Sequence, residues 1–341
     1  MTAPAEPRDI QKVAEPRGGN RIAEPRDHGG GLDDAVALYG GTRTDWLDLS
    51  TGINPHAYPV PDIPVHAWTA LPDRHAAERL ERAARAFWSV PDAAAVLAAP
   101  GASALIANIP QLAPAARVRI PARTYNEHEA SFAAADWQVL RADPDGDLAE
   151  ARVVVHPNNP TGHMFSGQDE PEARPLLVID ESFADVILAN SRVADFAIRP
   201  GTLILKSLGK FWGLPGVRLG FAIGDPALIA ALKDRLGPWP VSGVAQHVGA
   251  VALEDMVWAN ETRQVLSVEC ARLDALMQSK GAELIGGTVL FRLFKVDAAA
   301  AWQERLARGR VWSRVFPYAP TWLRLGLPPA TGWAQLEAAL A

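Results

Sequence analysis

One lysine stands in an unusually apolar stretch of the sequence. The segment KSLGKFWGLPGVRLG, residues 206–220, places Lys210 beside Phe211 and Trp212, and Arg218 follows eight positions later. Removal from water disfavours the ammonium form of lysine and leaves a neutral amine, which is a nucleophile toward carbonyl carbon. The segment therefore indicates a nucleophilic amine, and the alternative is a solvated loop lysine.

Other polar side chains come directly after apolar runs that are typical of strands. PLLVID ends at Asp180, TLILKS ends at Ser207, and RVVVHP leads into NNPTG, which contains Asn159. In an open parallel sheet, ligands bind outside the carboxyl ends of the strands, so we expect these residues to lie near Lys210. Each also has an ordinary explanation, because aspartate caps helices and asparagine occurs in turns. Their joint occurrence favours a binding site.

Seven short apolar runs predict the elements that position these side chains: AVLAAP, RVRIP, WQVLRA, RVVVHP, PLLVID, TLILKS and LGFAIG. Such runs, bounded by proline, glycine or aspartate, are typical of strands buried on both faces, and the segments between them suit crossover helices. We therefore predict an α/β fold with a three-layer αβα large domain around a mostly parallel sheet. Before these runs, apolar residues recur at helical spacing from Arg74 to Trp88, and Pro91 ends that helix.

The pattern changes beyond Pro226. A long helical stretch, residues 242–281, precedes two strand-like pieces, VLFRLF and WLRLGL, with an amphipathic helix between them. These features predict a smaller α+β domain. We place the linking helix and this domain at residues 236–341, the large domain at 61–235, and a segment that joins the small domain at 27–60.

The first residues contain a short repeat, AEPR, which begins at Ala5, Ala14 and Ala23. Each copy carries a proline and few large apolar side chains. Such a segment cannot bury enough surface to offset the entropy cost of ordering. We predict a flexible tail over residues 1–26.

The composition disfavours several classes of protein. The chain has 341 residues, of which 48% are hydrophobic, so it can bury a large core. A formal net charge of -6 without a dense basic stripe argues against a nucleic-acid partner. The single cysteine, Cys270, excludes an intrachain disulfide and a cysteine-based metal cluster, and no apolar run is long enough to span a bilayer. We expect a cytoplasmic protein without a metal site or a membrane partner.

Together, HPNNPTG, VIDESF and KSLGKFWGLPGVRLG resemble the motifs of the fold-type I pyridoxal-phosphate enzymes, the superfamily of aspartate and histidinol-phosphate aminotransferases. The three motifs occur in the order of that family, and the resemblance extends from about His28 to the C-terminus. It implies pyridoxal 5'-phosphate as cofactor, the large and small domains of this fold type, and a homodimer.

The resemblance also implies a role for each matching residue. Lys210 would bond to the cofactor aldehyde, whereas Lys206 does not match the motif and is interpreted as structural. Asp180 would keep the ring nitrogen protonated so that the ring accepts electron density. Asn159 would hydrogen-bond the ring oxygen and Tyr125 would stack on the ring, or else pack in the core. The phosphate would be held by side chains and by the start of a helix, at Ser207, Arg218, Ala102 and Ser103.

Contacts with the substrate are implied at four further residues. Arg324 in TWLRLGL matches an arginine that binds the substrate carboxylate, a bidentate contact for which lysine is poorly suited. Arg314 matches an arginine that some members use for a second anionic group. His28 and Asn54 lie in segments that fold over the substrate. The alternatives are exposed strand positions for the arginines and a solvated turn for His28.

Within the superfamily, HGG and STGINP resemble the threonine-phosphate decarboxylases of cobalamin synthesis. Phe183 in DESF supports this branch, because aminotransferases generally carry a tyrosine there. The resemblance implies decarboxylation of L-threonine O-3-phosphate to (R)-1-amino-2-propanol O-2-phosphate, with a histidinol-phosphate-type aminotransferase as the alternative. Two residues depart from the family pattern. Gly209 stands where the family often has a hydroxyl side chain, and Leu71 stands where many members have a tyrosine that reaches the neighbouring subunit. A non-catalytic regulator is a third hypothesis. Regulators of this superfamily carry a DNA-binding domain, and no segment of this sequence has the pattern of a helix-turn-helix.

Overall fold

The structure is a computed structural model, and it describes residues 28–141, 149–168, 170–171 and 174–341. The tail predicted for residues 1–26 lies outside the described residues. Within the described part of the chain, no helix is both long enough and apolar enough to cross a membrane.

Strands and helices alternate through the first two thirds of the described chain. The strands are, in chain order, β1 Leu47–Asp48, β2 Ala95–Ala99, β3 Arg117–Ile120, β4 Gln138–Arg141, β5 Ala151–Val155, β6 Leu176–Asp180, β7 Thr202–Ser207, β8 Gly220–Gly224, β9 Glu283–Thr288, β10 Phe291–Lys295, β11 Val311–Trp312, β12 Arg314–Phe316 and β13 Ala319–Gly326. The α-helices are α1 Leu32–Tyr39, α2 His66–Thr69, α3 Arg74–Trp88, α4 Ala102–Asn108, α5 Asn126–Ala134, α6 Val193–Phe196, α7 Pro226–Leu236, α8 Gly243–Glu254, α9 Met256–Ser279, α10 Ala299–Arg308 and α11 Trp333–Ala339.

Among the described residues, the central sheet has seven strands in the order β2-β8-β7-β6-β5-β3-β4. β8 runs antiparallel to both of its neighbours, β2 and β7, and the other neighbouring pairs in this sheet are parallel. Each of the seven apolar runs forms one of these strands, which confirms the predicted α/β sheet.

Helices cover both faces of the central sheet. Leu177 and Ile179 of β6 belong to a core that includes residues of α3 and α8, whereas Leu176 and Val178 belong to a second core with α4, α5 and α7. Successive residues of a strand point to opposite faces, so an uninterrupted apolar run can fill both cores. The three layers that we predicted follow from this arrangement.

The helical elements agree in part with the prediction. The helix over Arg74–Trp88 is α3, and the Asp73 side chain caps it by accepting from the Ala76 amide. The stretch predicted as one helical region over residues 242–281 contains two helices, α8 and α9. They are separated at Asp255, whose side chain accepts from the Trp258 amide and caps α9.

A second, antiparallel sheet has the order β12-β13-β10-β9, and β1 pairs in parallel with β11. The predicted strand pieces VLFRLF and WLRLGL contain most of β10 and β13, whereas β9, β11 and β12 were not predicted. Glycines at 286 and 287 interrupt the apolar pattern of β9, and β11 and β12 have only two and three residues. The domain boundaries proposed at residues 60 and 235 stay predictions.

Three neighbouring strands end at the same edge of the central sheet. Val155 at the end of β5 lies opposite Asp180 at the end of β6, and Asp180 lies opposite Leu205 near the end of β7. The loops that follow these strands carry Asn159 and Lys210. This edge therefore brings together the polar residues that the sequence separates.

Candidate active site

A cavity of about 350 Å³ is lined by residues of both sheets and of the N-terminal segment. Its lining includes six of the predicted site residues: His28, Tyr125, Asn159, Lys210, Arg314 and Arg324. His28 belongs to the N-terminal segment. Tyr125, Asn159 and Lys210 lie in loops that follow strands of the central sheet, and Tyr125 directly precedes α5. Arg314 and Arg324 lie on β12 and β13. The fold thus converges on one site from three parts of the chain.

Lys210 occupies a loop that is held by backbone hydrogen bonds. Its carbonyl oxygen accepts from the Asn54 amide at 3.0 Å and from the Gly213 amide at 3.1 Å. Its Nζ lies 5.3 Å from the ring centre of Phe183. Burial lowers the pKa of the Lys210 amine to about 8, and the positive charge of Arg324 adds to this effect, whereas Asp180 opposes it.

This pKa predicts an unusual reactivity for Lys210 in the cofactor-free protein. The rate of its reaction with an acylating reagent should rise with pH and reach half its maximum near pH 8, whereas an ordinary lysine has a pKa of about 10.4. Peptide mass spectrometry after short reagent pulses would measure the rate at Lys210 and, as a control, at the exposed Lys280. Identical pH profiles for the two lysines would contradict the prediction.

Asp180 is a buried carboxylate at the end of β6. Its Oδ2 accepts from His128 Nε2 at 2.8 Å, and its Oδ1 accepts from the Ser182 amide at 2.9 Å. Although burial opposes ionisation, the hydrogen bonds from His128 and Ser182 hold the pKa of Asp180 below its ordinary value. Asp180 is therefore an anion at neutral pH that can pair with a positive ring nitrogen.

The four residues expected to hold a phosphate lie outside the lining of this cavity, as does Asp180. A Cβ added at Gly101, immediately before α4, would lie 2.5 Å from Arg218 Nη2. A Cβ added at Gly220 would lie 2.5 Å from the amide nitrogen of Ala102, and Gly220 is opposite Ser207 in the sheet. The absent side chains let a guanidinium, a hydroxyl and the first amides of α4 come close together.

The two arginines are direct neighbours across β12 and β13. Arg324 is buried, and its guanidinium donates to the side-chain oxygen of Asn159 and to the carbonyl oxygen of Ser50. Arg314 is partly buried and lines the same cavity. The pair forms a cationic wall that suits a substrate with anionic groups.

Asn54 lies outside the lining of the cavity, and the substrate contact expected for it stays a prediction. It is buried, and its side chain donates to the Phe211 carbonyl oxygen at 2.7 Å and accepts from the His56 amide at 2.8 Å. Both polar ends of the side chain are thus engaged within the chain. Its hydrogen bond to Phe211 helps to hold the loop that carries Lys210.

Comparison with known proteins identifies the family. Residues 45–341 match the aminotransferase class I and II family. This chain belongs to that family. It is 40% identical over 330 residues to the threonine-phosphate decarboxylase of a Sinorhizobium species, a match that covers 92% of this chain and 97% of the relative. It is 38% identical over 327 residues to the threonine-phosphate decarboxylase of Pseudomonas aeruginosa, with the same coverages of 92% and 97%.

More distant members of the family share the fold. The histidinol-phosphate aminotransferase 2 of Ralstonia nicotianae is 31% identical over 283 residues, which cover 77% of this chain and 72% of that protein. The crystal structure of histidinol-phosphate aminotransferase from Sinorhizobium meliloti, in complex with pyridoxal-5'-phosphate, superposes with a TM-score of 0.77 at 15% identity, over 95% of this chain and 97% of that chain. The structure of L-threonine-O-3-phosphate decarboxylase from Porphyromonas gingivalis gives 0.65 at 17% identity, over 86% and 97% of the two chains.

The site of this aminotransferase-family chain fits the cofactor of its family, pyridoxal 5'-phosphate. Lys210 provides an amine with a lowered pKa, and Asp180 provides a buried anion on the neighbouring strand. Arg218 and the start of α4 provide the cation and amides that a phosphate group requires. These groups can hold the aldehyde, ring nitrogen and phosphate ends of one molecule.

Sequence reasoning missed several residues of the site. His128 lies in the first turn of α5, three positions after the N-cap residue Tyr125, and their ring centres are 6.1 Å apart. This short spacing was the available signal. His28 pairs with Glu127 at 2.9 Å, and the cavity-lining Arg141 pairs with Glu129 at 2.6 Å. Neither ion pair has a signal in the sequence, because each joins separate elements.

Proposed function

We propose that this chain catalyses the pyridoxal-phosphate-dependent decarboxylation of L-threonine O-3-phosphate to (R)-1-amino-2-propanol O-2-phosphate, a step of cobalamin synthesis. The observation that carries the proposal is its similarity to two threonine-phosphate decarboxylases over 92% of its length. The presence of Phe183 beside Lys210, in place of a tyrosine, supports the same branch. A phenylalanine offers no hydrogen-bond donor to the ring oxygen of a cofactor.

The chain's own residues supply binding and proton transfer. When bound, pyridoxal phosphate accepts the electron pair of the bond that breaks at the substrate α-carbon. Asp180, held ionised by His128 and Ser182, would stabilise positive charge on the ring nitrogen. Lys210, with a pKa of about 8, exchanges a proton readily near neutral pH and can deliver one to the α-carbon after carbon dioxide leaves.

The cationic side of the cavity orients the substrate. A decarboxylase must present the bond to the carboxylate for cleavage, whereas an aminotransferase presents the Cα–H bond. Arg314 and Arg324 lie side by side on the sheet, and His28 lies on the N-terminal segment of the same cavity. Contacts to both the carboxylate and the phosphate would fix the rotation of the substrate, so remote binding energy would select the bond that breaks.

The test is a comparison of two substrates. The purified, cofactor-loaded protein is incubated with L-threonine O-3-phosphate or with L-histidinol phosphate plus a keto-acid acceptor, and carbon dioxide and amino-group transfer are measured in each. We expect carbon dioxide from threonine phosphate and no appreciable transfer from histidinol phosphate. Amino-group transfer without carbon dioxide would reject the decarboxylase and favour the histidinol-phosphate aminotransferase.

We also infer that two copies of this chain form a homodimer through an exposed apolar surface, and that they act in the cytoplasm. The surface consists of Val65, Trp68, Leu71 and Trp239, which are 75%, 66%, 66% and 57% exposed. The segment that carries the first three packs on α8, since a Cβ at Gly243 would lie 2.6 Å from the Ala67 carbonyl oxygen. Four large apolar side chains exposed in this part of the fold indicate an interface.

Light scattering in solution tests the dimer. We expect the wild type to have twice the mass of the chain and the variant W68E/L71E to have the mass of one chain, because two carboxylates would be buried at the interface. The control is Ile198→Glu, at a residue that is 55% exposed and distant in sequence from this surface. A monomeric wild type, or a dimeric double variant, would contradict the inference.

A further inference from the structure

Strand β9 of the small sheet meets the loop that follows β5 through a backbone contact that has no room for side chains. A Cβ added at Gly286 of β9 would lie 2.2 Å from the carbonyl oxygen of Thr161, and one added at Gly162 would lie 2.1 Å from the carbonyl oxygen of Gly287. The Gly287 amide donates to the Thr161 carbonyl oxygen at 3.0 Å. We call these three glycines, Gly162, Gly286 and Gly287, the glycine contact.

On one side, the glycine contact continues directly into the cationic wall. Gly286 lies opposite Leu293 of β10, Leu293 lies opposite Arg324 of β13, and Arg324 lies opposite Arg314 of β12. These four residues form one row across the small sheet. Neighbouring strands are about 4.8 Å apart, so Arg324 is about 10 Å from Gly286 along a row of hydrogen-bonded strands. Because these strands are hydrogen-bonded side by side, we expect a displacement of Gly286 to shift the backbone that carries both arginines.

On the other side, the glycine contact belongs to a loop with fixed geometry. Asn158 donates to the Thr161 hydroxyl and to the Arg123 carbonyl oxygen, both at 2.9 Å, and accepts from the Thr124 hydroxyl at 2.6 Å. The next residue, Asn159, accepts from Arg324. Loop and sheet are therefore joined twice, once at the glycine contact and once at the Arg324 side chain.

We propose that the glycine contact is a positioning element that sets the distance from Arg314 and Arg324 to Lys210, and with it the enzyme's selection for a substrate with two anionic groups. The proposal rests on the function proposed above. Lys210, Asp180 and Arg218 lie outside the loop of the glycine contact, whereas Asn159, a predicted cofactor contact, lies two positions before Thr161. Three hydrogen bonds of Asn158 hold this loop, so we expect β9 to move instead of the loop and the cofactor contacts to stay in place.

The variant Gly286→Ala tests the proposal with the smallest possible change. Its backbone angle does not require glycine, so the effect of the new methyl group is purely steric. To reach ordinary van der Waals distance from Thr161, β9 or the loop must move by about 1 Å, and a misplacement of that size costs up to about 100-fold in rate. The matched control is Gly216→Ala, because a Cβ there has no atom of the described chain within 4 Å.

Three quantities are measured for the wild type and both variants: kcat and KM for threonine phosphate, the inhibition constant of inorganic phosphate on the cofactor-loaded enzyme, and the dissociation constant of pyridoxal phosphate. We expect Gly286→Ala to lower kcat/KM by about 10- to 100-fold, mainly through KM, and to weaken phosphate inhibition. Its affinity for pyridoxal phosphate and its thermal unfolding should equal those of the control.

Each other outcome overturns the proposal. Unchanged kinetics would show that the arginines do not depend on the glycine contact. Loss of cofactor binding, or failure of the variant to fold, would show that the glycine contact stabilises the whole chain instead of positioning two side chains. If the wild type releases no carbon dioxide, the proposed function fails. The glycine contact is then tested by how strongly inorganic phosphate inhibits the conversion of whichever phosphorylated substrate the wild type accepts.

Discussion

Replacing Lys210 with alanine should lower kcat for threonine phosphate by a factor on the order of 10⁴ or more, as expected for loss of a nucleophile on which covalent catalysis depends. The same variant should unfold no more easily than the wild type. Burial lowers the pKa of this amine to about 8, so the folded chain holds a group that water would stabilise as a cation. Single-turnover carbon dioxide release and urea unfolding would measure the two effects.

The combination of lost activity and retained stability distinguishes a reacting amine from a structural one. After treatment with borohydride, denaturation should still release the cofactor from the variant, whereas in the wild type the reduced cofactor should stay bonded to Lys210. Lys280→Ala, at an exposed lysine, serves as the control and should retain full activity. A Lys210→Ala protein with more than a tenth of wild-type activity would remove Lys210 from the mechanism.

The sequence predicted the central sheet well because its strands are buried on both faces. A strand such as β6, with the sequence LLVID, has no exposed face to interrupt its apolar run, and the first polar residue marks the sheet edge. The apolar runs alone therefore predict that Asp180 and Lys210 lie near one another. The same rule explains why β9 was missed, because its ELIGGT sequence is neither continuous nor alternating.

The details of the site depend on contacts between distant segments, which a single sequence does not show. Asn54 lies in a motif that resembles a substrate-binding segment, but its hydrogen bonds hold the Phe211 carbonyl oxygen 157 positions away. His128 contacts Asp180 only because the tertiary fold brings the first turn of α5 to the end of β6. Chemistry at the ends of strands can be predicted locally, whereas the partners of each side chain require the tertiary structure.

Lys206 shows how four positions change the role of a lysine. Its Nζ is fully buried and lies 2.6 Å from Glu181 Oε2 and 3.3 Å from Asp185 Oδ1. Asp185 also accepts from the indole nitrogens of Trp88 at 2.9 Å and Trp212 at 3.1 Å. Although burial opposes it, the two carboxylates raise the pKa of Lys206 above its ordinary value. This geometry agrees with the structural role that we predicted for Lys206 because it does not match the family motif.

Replacing Lys206 with methionine should therefore reduce the free energy of unfolding by about 3–5 kcal/mol, because Glu181 and Asp185 would remain buried without their cation. The loss should be fully present at neutral pH, since a raised lysine pKa stabilises the folded chain until the pH rises through that value. Urea unfolding followed by tryptophan fluorescence would measure it.

The double variant K206M/E181Q separates the charge from the packing. Neutralising Glu181 removes one of the two buried anions, so the double variant should be more stable than Lys206→Met alone if uncompensated charge causes the loss. Equal stability of the two variants would assign the loss to packing around the lysine chain instead. Asp180 directly precedes Glu181, so cofactor affinity is measured in parallel, and we expect it to fall only in variants that also unfold more easily.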